Sequence, residues 1–147
     1  AKNSIAEGYT SAPANTPLLY VPVPAKIEAE KFTAMSGIQT ENSGDTGGGT
    51  NVGHFEAGDF IEFKIKAESD GNYTIDYRLA SQTGSTGFEV LIDDVVVDTM
   101  DLAATGGWQT YITKTGKSFA MTAGNHTLRF RSIGKEWNLN WFEVKKQ

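Results

Sequence analysis

Residues 60–79 read FIEFKIKAESDGNYTIDYRL. Ile61, Phe63 and Ile65 alternate with Glu62, Lys64 and Lys66, and the same period of two returns in Tyr73, Ile75, Tyr77 and Leu79. Alternate side chains of an extended chain point to opposite faces, so each segment is a β-strand with one buried face. Between them Ser69-Asp70-Gly71-Asn72 supplies turn chemistry.

Working outward, short apolar runs of the same period recur at Ile27–Glu30, Phe88–Ile92, Val95–Met100, Gln109–Lys114, His126–Ser132 and Asn138–Val144. Asp93-Asp94 and Ala123-Gly124-Asn125 mark turns. No window of helical period competes, and no internal repeat is present. Eight or more short antiparallel strands without helical crossovers predict an all-β fold, a two-sheet antiparallel β-sandwich of the jelly-roll type. Residues 1–25 hold all four prolines and lack a hydrophobic period. They read as a linker or N-terminal arm, its first half mobile and its second half able to lie extended against the domain, with the sandwich spanning 26–147. The stretch Gly44-Asp45-Thr46-Gly47-Gly48-Gly49-Thr50 fits neither a phosphate loop nor a dinucleotide fingerprint and is expected to be a surface loop.

The 147 residues include no cysteine, 39% hydrophobic and 21% charged residues, and carry a net charge of −5. That size is one domain. The negative charge disfavours nucleic acid and anionic lipid, no apolar run approaches a membrane span, and thiol chemistry is excluded. Two histidines, His54 and His126, are too few for an imidazole-built metal centre, whereas an oxygen-ligated Ca²⁺ site stays open. No signal-peptide pattern opens the sequence, which is expected to begin after any export signal.

A sugar offers hydroxyls at its rim and apolar C–H faces, so sugar sites pair an exposed aromatic plane with Asn, Asp, Glu or Gln. Trp108 follows Thr105-Gly106-Gly107, a loop with nothing obvious to bury the indole. Six segments carry a family resemblance: IEAEKFTAMSGIQTEN (27–42), DTGGGTNVGHFEAGDFIEF (45–63), DGNYTIDYRLAS (70–81), TGGWQTY (105–111), TAGNHTLRFR (122–131) and WNLNWFEV (137–144). In this order they resemble the family 6 carbohydrate-binding modules, sandwich domains appended to polysaccharide-degrading enzymes. The resemblance implies no catalysis and a sugar-binding cleft built from loops at one edge of the sandwich.

It further implies that Trp108 forms one wall of that cleft and that His54 takes the place where relatives carry an aromatic, usually tyrosine. Asn138 matches the amide of the cleft floor, and Glu41 the acid that reaches into the cleft, with Glu56 a second candidate at the rim. Strict alternation would put Leu139 and Trp141 on one face and Asn138, Asn140 and Phe142 on the other. Trp137 either flanks the cleft or covers the core edge. Glu28 and Glu30 place two carboxylates on one strand face, an arrangement that repels unless a cation lies between them. The resemblance supplies a structural Ca²⁺ there, held by Glu28, Glu30, backbone carbonyls and an oxygen near the last strand, where Asn140 stands in place of an Asp.

A binding module is the leading reading; a small glycoside hydrolase working through paired carboxylates and a protein-interaction domain are the alternatives. The expected partners are a polysaccharide and a covalently linked catalytic domain, the expected state a monomer, and the expected location extracellular or at a bacterial cell surface. Among the family's ligands β-1,3-glucan of the laminarin type is favoured, because the smaller imidazole of His54 widens the cleft opposite Trp108; agarose and xylan follow.

Overall fold

The computed structural model describes residues 19–147. The expected mobility of the first half of the N-terminal arm lies outside the described residues. The two segments that alternate so clearly become β6 (Phe60–Ala67) and β7 (Gly71–Ala80), which are consecutive in the chain but belong to opposite sheets. Around them run β1 (Val21–Val23), β2 (Ala25–Glu28), β3 (Ala34–Ser36), β4 (Gln39–Asn42), β5 (Thr50–Gly53), β8 (Ser85–Ile92), β9 (Val95–Leu102), β10 (Ile112–Thr115), β11 (Phe119–Met121), β12 (Gly124–Ser132) and β13 (Asn138–Lys146). One sheet has the order β1-β6-β12-β8-β9, with β3 also beside β6. The other has the order β10-β7-β13-β5-β4, with β11 beside β7 and β2 beside β13. The result is the all-β sandwich that the alternation predicts.

Inward-facing aromatics join the sheets. Phe63 on β6 meets Phe142 on β13 at 4.8 Å between ring centroids, and Tyr77 on β7 meets Phe88 on β8 at 5.3 Å. Both pairs are edge-to-face, the arrangement the ring quadrupole favours. The β8–β9 hairpin turns on Asp93 and Asp94, both left-handed with φ of 50° and 69°. Asp tolerates that conformation because its short side chain bonds locally. Here the Asp93 carboxylate accepts from the Thr127 N–H at 2.8 Å and contacts His126 Nδ1 at 2.6 Å, tying the hairpin to β12.

Three expectations are corrected. The second half of the arm does lie extended against the domain, but the boundary at residue 26 moves: Val21–Val23 pairs in parallel with Ile65–Ala67 of β6 and Val23 is buried in the core, so the sandwich takes in the end of the arm. Residues 109–111 are loop; β10 starts only at Ile112. Glu28 and Glu30 do not share a strand face, because β2 ends at Glu28 and Ala29–Lys31 forms a 3-10 turn. A fourth correction bears on the last strand. An irregularity between Leu139 and Trp141 in the β13–β7 pairing shifts the phase of the alternation. Leu139 and Phe142 are therefore both buried, and Trp141 is only half-buried. An extra residue in one strand of a pair does this wherever it occurs.

Candidate binding cleft

Glu41 on β4, His54 and Glu56 in the loop after β5, Trp108 and Gln109 in the loop before β10, and Asn138 at the start of β13 line one cleft of about 510 Å³. These residues are up to 97 positions apart in the chain, the difference between 138 and 41. The fold gathers five of the six expected sugar-binding residues at its open face; the sixth, Trp137, reaches the cleft only from below.

Trp108 is 40% exposed, an unusual state for an indole, and its loop position explains it. Its backbone is nevertheless fixed: the Asn138 side-chain N–H donates to the Trp108 carbonyl at 2.7 Å. Half of the Asn138 amino group is thereby used within the protein, leaving one N–H and the carbonyl oxygen for a ligand. The carbonyl oxygen sits so close to Gly53 that a Cβ there would lie 2.3 Å from it. Only glycine allows β5 to pass this near the amide.

His54, which lines the same cleft, has φ of 62° and a largely exposed side chain. Its Nε2 lies 3.2 Å from Glu41 Oε1, and since a carboxylate only accepts, the proton is on Nε2. The other carboxylate oxygen, Oε2, accepts from the Gln109 side chain at 2.8 Å. Glu41 is thus gripped from both sides while half-exposed to the cleft. Glu56 stands at the rim with Lys135, 3.8 Å apart and both well exposed, a pair of little energetic weight.

Trp137 resolves to the core. It is 1% exposed, stacked on Phe55 at 3.7 Å between centroids and on Phe88 at 4.4 Å, and its indole N–H donates to Ser132 Oγ at 3.0 Å and to the Gly134 carbonyl at 3.2 Å. It therefore serves as a floor for the cleft and offers no open face for stacking on a sugar.

Behind the cleft, the Gly-rich loop is anchored by a half-buried ion pair. Asp45 accepts from Arg78 Nε at 2.8 Å and Nη2 at 2.9 Å, and from Asn140 Nδ2 at 2.9 Å. The guanidinium, aided by the Asn140 and Thr46 donors, holds the Asp45 carboxyl down to about 2 against the cost of burial. Nearby Tyr111 is pushed up to about 12, chiefly by burial. Sequence reasoning missed Gln109, Asp45 and Arg78; the one available signal was that they lie in the TGGWQTY, DTGGGTNVGHFEAGDFIEF and DGNYTIDYRLAS segments respectively.

An exposed indole and an imidazole lining one cleft with planar amide and carboxylate groups is the chemistry of a polysaccharide-binding domain. Comparison makes this specific. The family model described as carbohydrate binding module (family 6) matches residues 28–146, and the chain belongs to that family. It is 38% identical to the family 6 module of Cellvibrio mixtus lichenase 5A, solved with cellotriose, at a TM-score of 0.76, covering 85% of this chain and 98% of that one. A β-1,3-glucan-binding family 6 module from Bacillus halodurans is 30% identical at a TM-score of 0.78, with 86% and 98% covered. The clotting factor G alpha subunit of Tachypleus tridentatus is 32% identical over 123 residues, 82% of this chain, but the chain spans only 18% of that protein's length. Modules of this family bind carbohydrate without catalysis and occur linked to glycoside hydrolase domains, so the chain is not an enzyme on its own.

Proposed function

We propose that this module binds β-1,3-glucan of the laminarin type and holds a covalently linked glycoside hydrolase domain at that substrate outside the cell. The observation that carries the reading is the cleft's pair of walls: the exposed plane of Trp108 on one side, and on the other an imidazole engaged by Glu41. His54 offers less apolar area than a phenol and clamps a flat ring less firmly, which suits a curved β-1,3 chain entering edge-on. Glu41 and Asn138 then take its hydroxyls. The likeness to the Bacillus halodurans module, whose described ligand is β-1,3-glucan, points the same way. β1 pairs with Ile65–Ala67 and β13 ends at Lys146, both remote along their strands from the cleft loops. Among the described residues no helix is long and apolar enough to cross a membrane. Titration calorimetry with laminarin, xylan and agarose oligosaccharides is the test. Saturable heat with laminarin oligosaccharides is expected, barely weakened by salt because the ligand is neutral. No heat with laminarin beside clear saturation with xylan or agarose would sink this choice of ligand.

The same reading includes a structural Ca²⁺ held by Glu28, Glu30 and Asn140. Its support is two orphaned acceptors: Glu30 Oε1 and Asn140 Oδ1 are buried without a hydrogen-bond partner. Asn140 spends its N–H on Asp45, so its oxygen is left over. The 3-10 turn that carries Glu30 packs against β13, and Glu28 pairs with Trp141 of the same strand. Among the described residues no three His, Cys, Asp or Glu side chains form a cation site, so the donors are two carboxylates and an amide, hard oxygens that suit calcium. A cation bound only to the folded chain stabilises it by mass action. Chelation should therefore lower the melting temperature and leave sugar affinity nearly unchanged. A chelator series without any shift in melting would overturn the calcium reading of Glu28, Glu30 and Asn140.

A further inference from the structure

Gln109 follows Trp108 directly, yet its side chain leaves the loop and spends all of its polar atoms on another part of the molecule. Oε1 accepts from the Gly44 N–H at 2.7 Å, while Nε2 donates to Glu41 Oε2 at 2.8 Å and to Asn51 Oδ1 at 3.2 Å. One amide thus joins the Trp108 loop to β4, to the Gly-rich loop and to β5. The reverse orientation would set the amino group against the Gly44 N–H and the oxygen against two acceptors, so the amide has a single satisfied pose. Asn51 is 0% exposed and its own Nδ2 has no partner, which makes the Gln109 bond its one side-chain hydrogen bond among the described residues. From the other direction Asn138 holds the Trp108 carbonyl. The Trp108-Gln109 pair is therefore clamped on both sides, although no regular strand contains it.

We propose that Gln109 is the positioning residue of the cleft: it fixes the distance and angle between the Trp108 wall and the Glu41 carboxylate, and touches no sugar itself. The inference rests on the carbohydrate-cleft reading above. An aromatic on a loop stacks well only if it is already in place, because ordering it on binding subtracts from affinity. Glu41, for its part, holds one orientation because Gln109 and His54 each take an oxygen, and its remaining lone pairs are then aimed for hydroxyls. Within the TGGWQTY segment the tryptophan supplies the contact and the glutamine the aim.

The test uses the whole chain, wild type beside Gln109→Met, which keeps length but removes the polar atoms, and Gln109→Glu, which keeps shape but faces the Glu41 carboxylate with another acceptor. Laminarihexaose, cellohexaose and xylohexaose are titrated by calorimetry. In the unliganded proteins the mobility of the Trp108 indole N–H is read by ¹⁵N relaxation, its resonance identified with Trp108→Phe. Both variants should bind the wild type's preferred hexaose about tenfold more weakly, with a measurably looser Trp108 indole and a fold that is retained but melts several degrees lower, because Asn51 and the Gly44 N–H lose their partner. Retained affinity overturns the proposal. So does lost affinity with an indole as rigid as the wild type's, which would make Gln109 a sugar contact, and so does loss of the fold in both variants. If the wild type binds none of the three hexaoses, the functional reading fails by itself, and the indole relaxation still decides whether Gln109 positions Trp108.

Discussion

Trp108→Ala should lower affinity for the bound polysaccharide by roughly ten to a hundredfold while the melting temperature stays within about a degree or two. The indole is the one large aromatic plane in the cleft that is open to solvent, since Phe55 and Trp137 lie beneath and are stacked on each other. Stacking on a sugar's C–H face removes apolar area from water on both partners, worth about 1 to 3 kcal/mol. Folding gains much less from a side chain that remains exposed. The alanine variant also keeps the backbone bond from Asn138 and the anchors of Gln109, since neither involves the indole. The loop should hold its shape and only its contact surface should vanish. Affinity electrophoresis and thermal melting on the same preparation check both halves. Retained binding with a normal melt would place the site elsewhere on the sandwich.

The long strands were legible because they obey the period of two without interruption. The alternation of Ile61, Phe63 and Ile65 lies inside β6, and that of Tyr73, Ile75, Tyr77 and Leu79 inside β7. β3, β4, β5 and β11 were not, because strands of three or four residues are too short to display a period, and β4 and β5 flank the Gly-rich loop. Val21–Val23 escaped for another reason: two prolines argue against a strand, yet this strand lies at the sheet edge, where a missing N–H costs little. In the last strand, alternation failed at Asn140, since a bulge leaves no mark on a pattern of residue types. The cleft divides in the same way. Trp108, His54, Glu41 and Asn138 are chemically conspicuous and were named from the segments that carry them. Gln109 was not, because its importance lies in partners 58 to 68 residues away that only folding brings within reach. Trp137 stayed undecided in the sequence because nothing local says that Phe55 and Phe88 close over its two faces.

Arg78→Met should destabilise the module by about 2 kcal/mol at neutral pH, and the loss should shrink in acid. Asp45 is nearly enclosed, its side chain 5% exposed, and Arg78 gives it two parallel hydrogen bonds, the strong geometry for a carboxylate. Methionine fills much of the arginine stem's space but leaves a buried carboxylate with only Asn140 and the Thr46 N–H as donors. The pH dependence has a definite sign. Because Asp45 is held down to about 2 from 3.8, its share of the stability is complete above pH 3.8 and is lost as the pH falls toward 2. The variant lacks that share from the start, so the stability difference between the two proteins should shrink steadily from pH 4 to pH 2. Denaturant unfolding at several pH values measures it, and parallel profiles would show that the ion pair is not what holds the loop. The consequence should reach the cleft as well. Asp45 is the next residue after Gly44, whose N–H Gln109 accepts, so loosening the ion pair frees one of the three anchors behind Trp108. Sugar affinity in Arg78→Met should therefore fall even though Arg78 does not line the cleft.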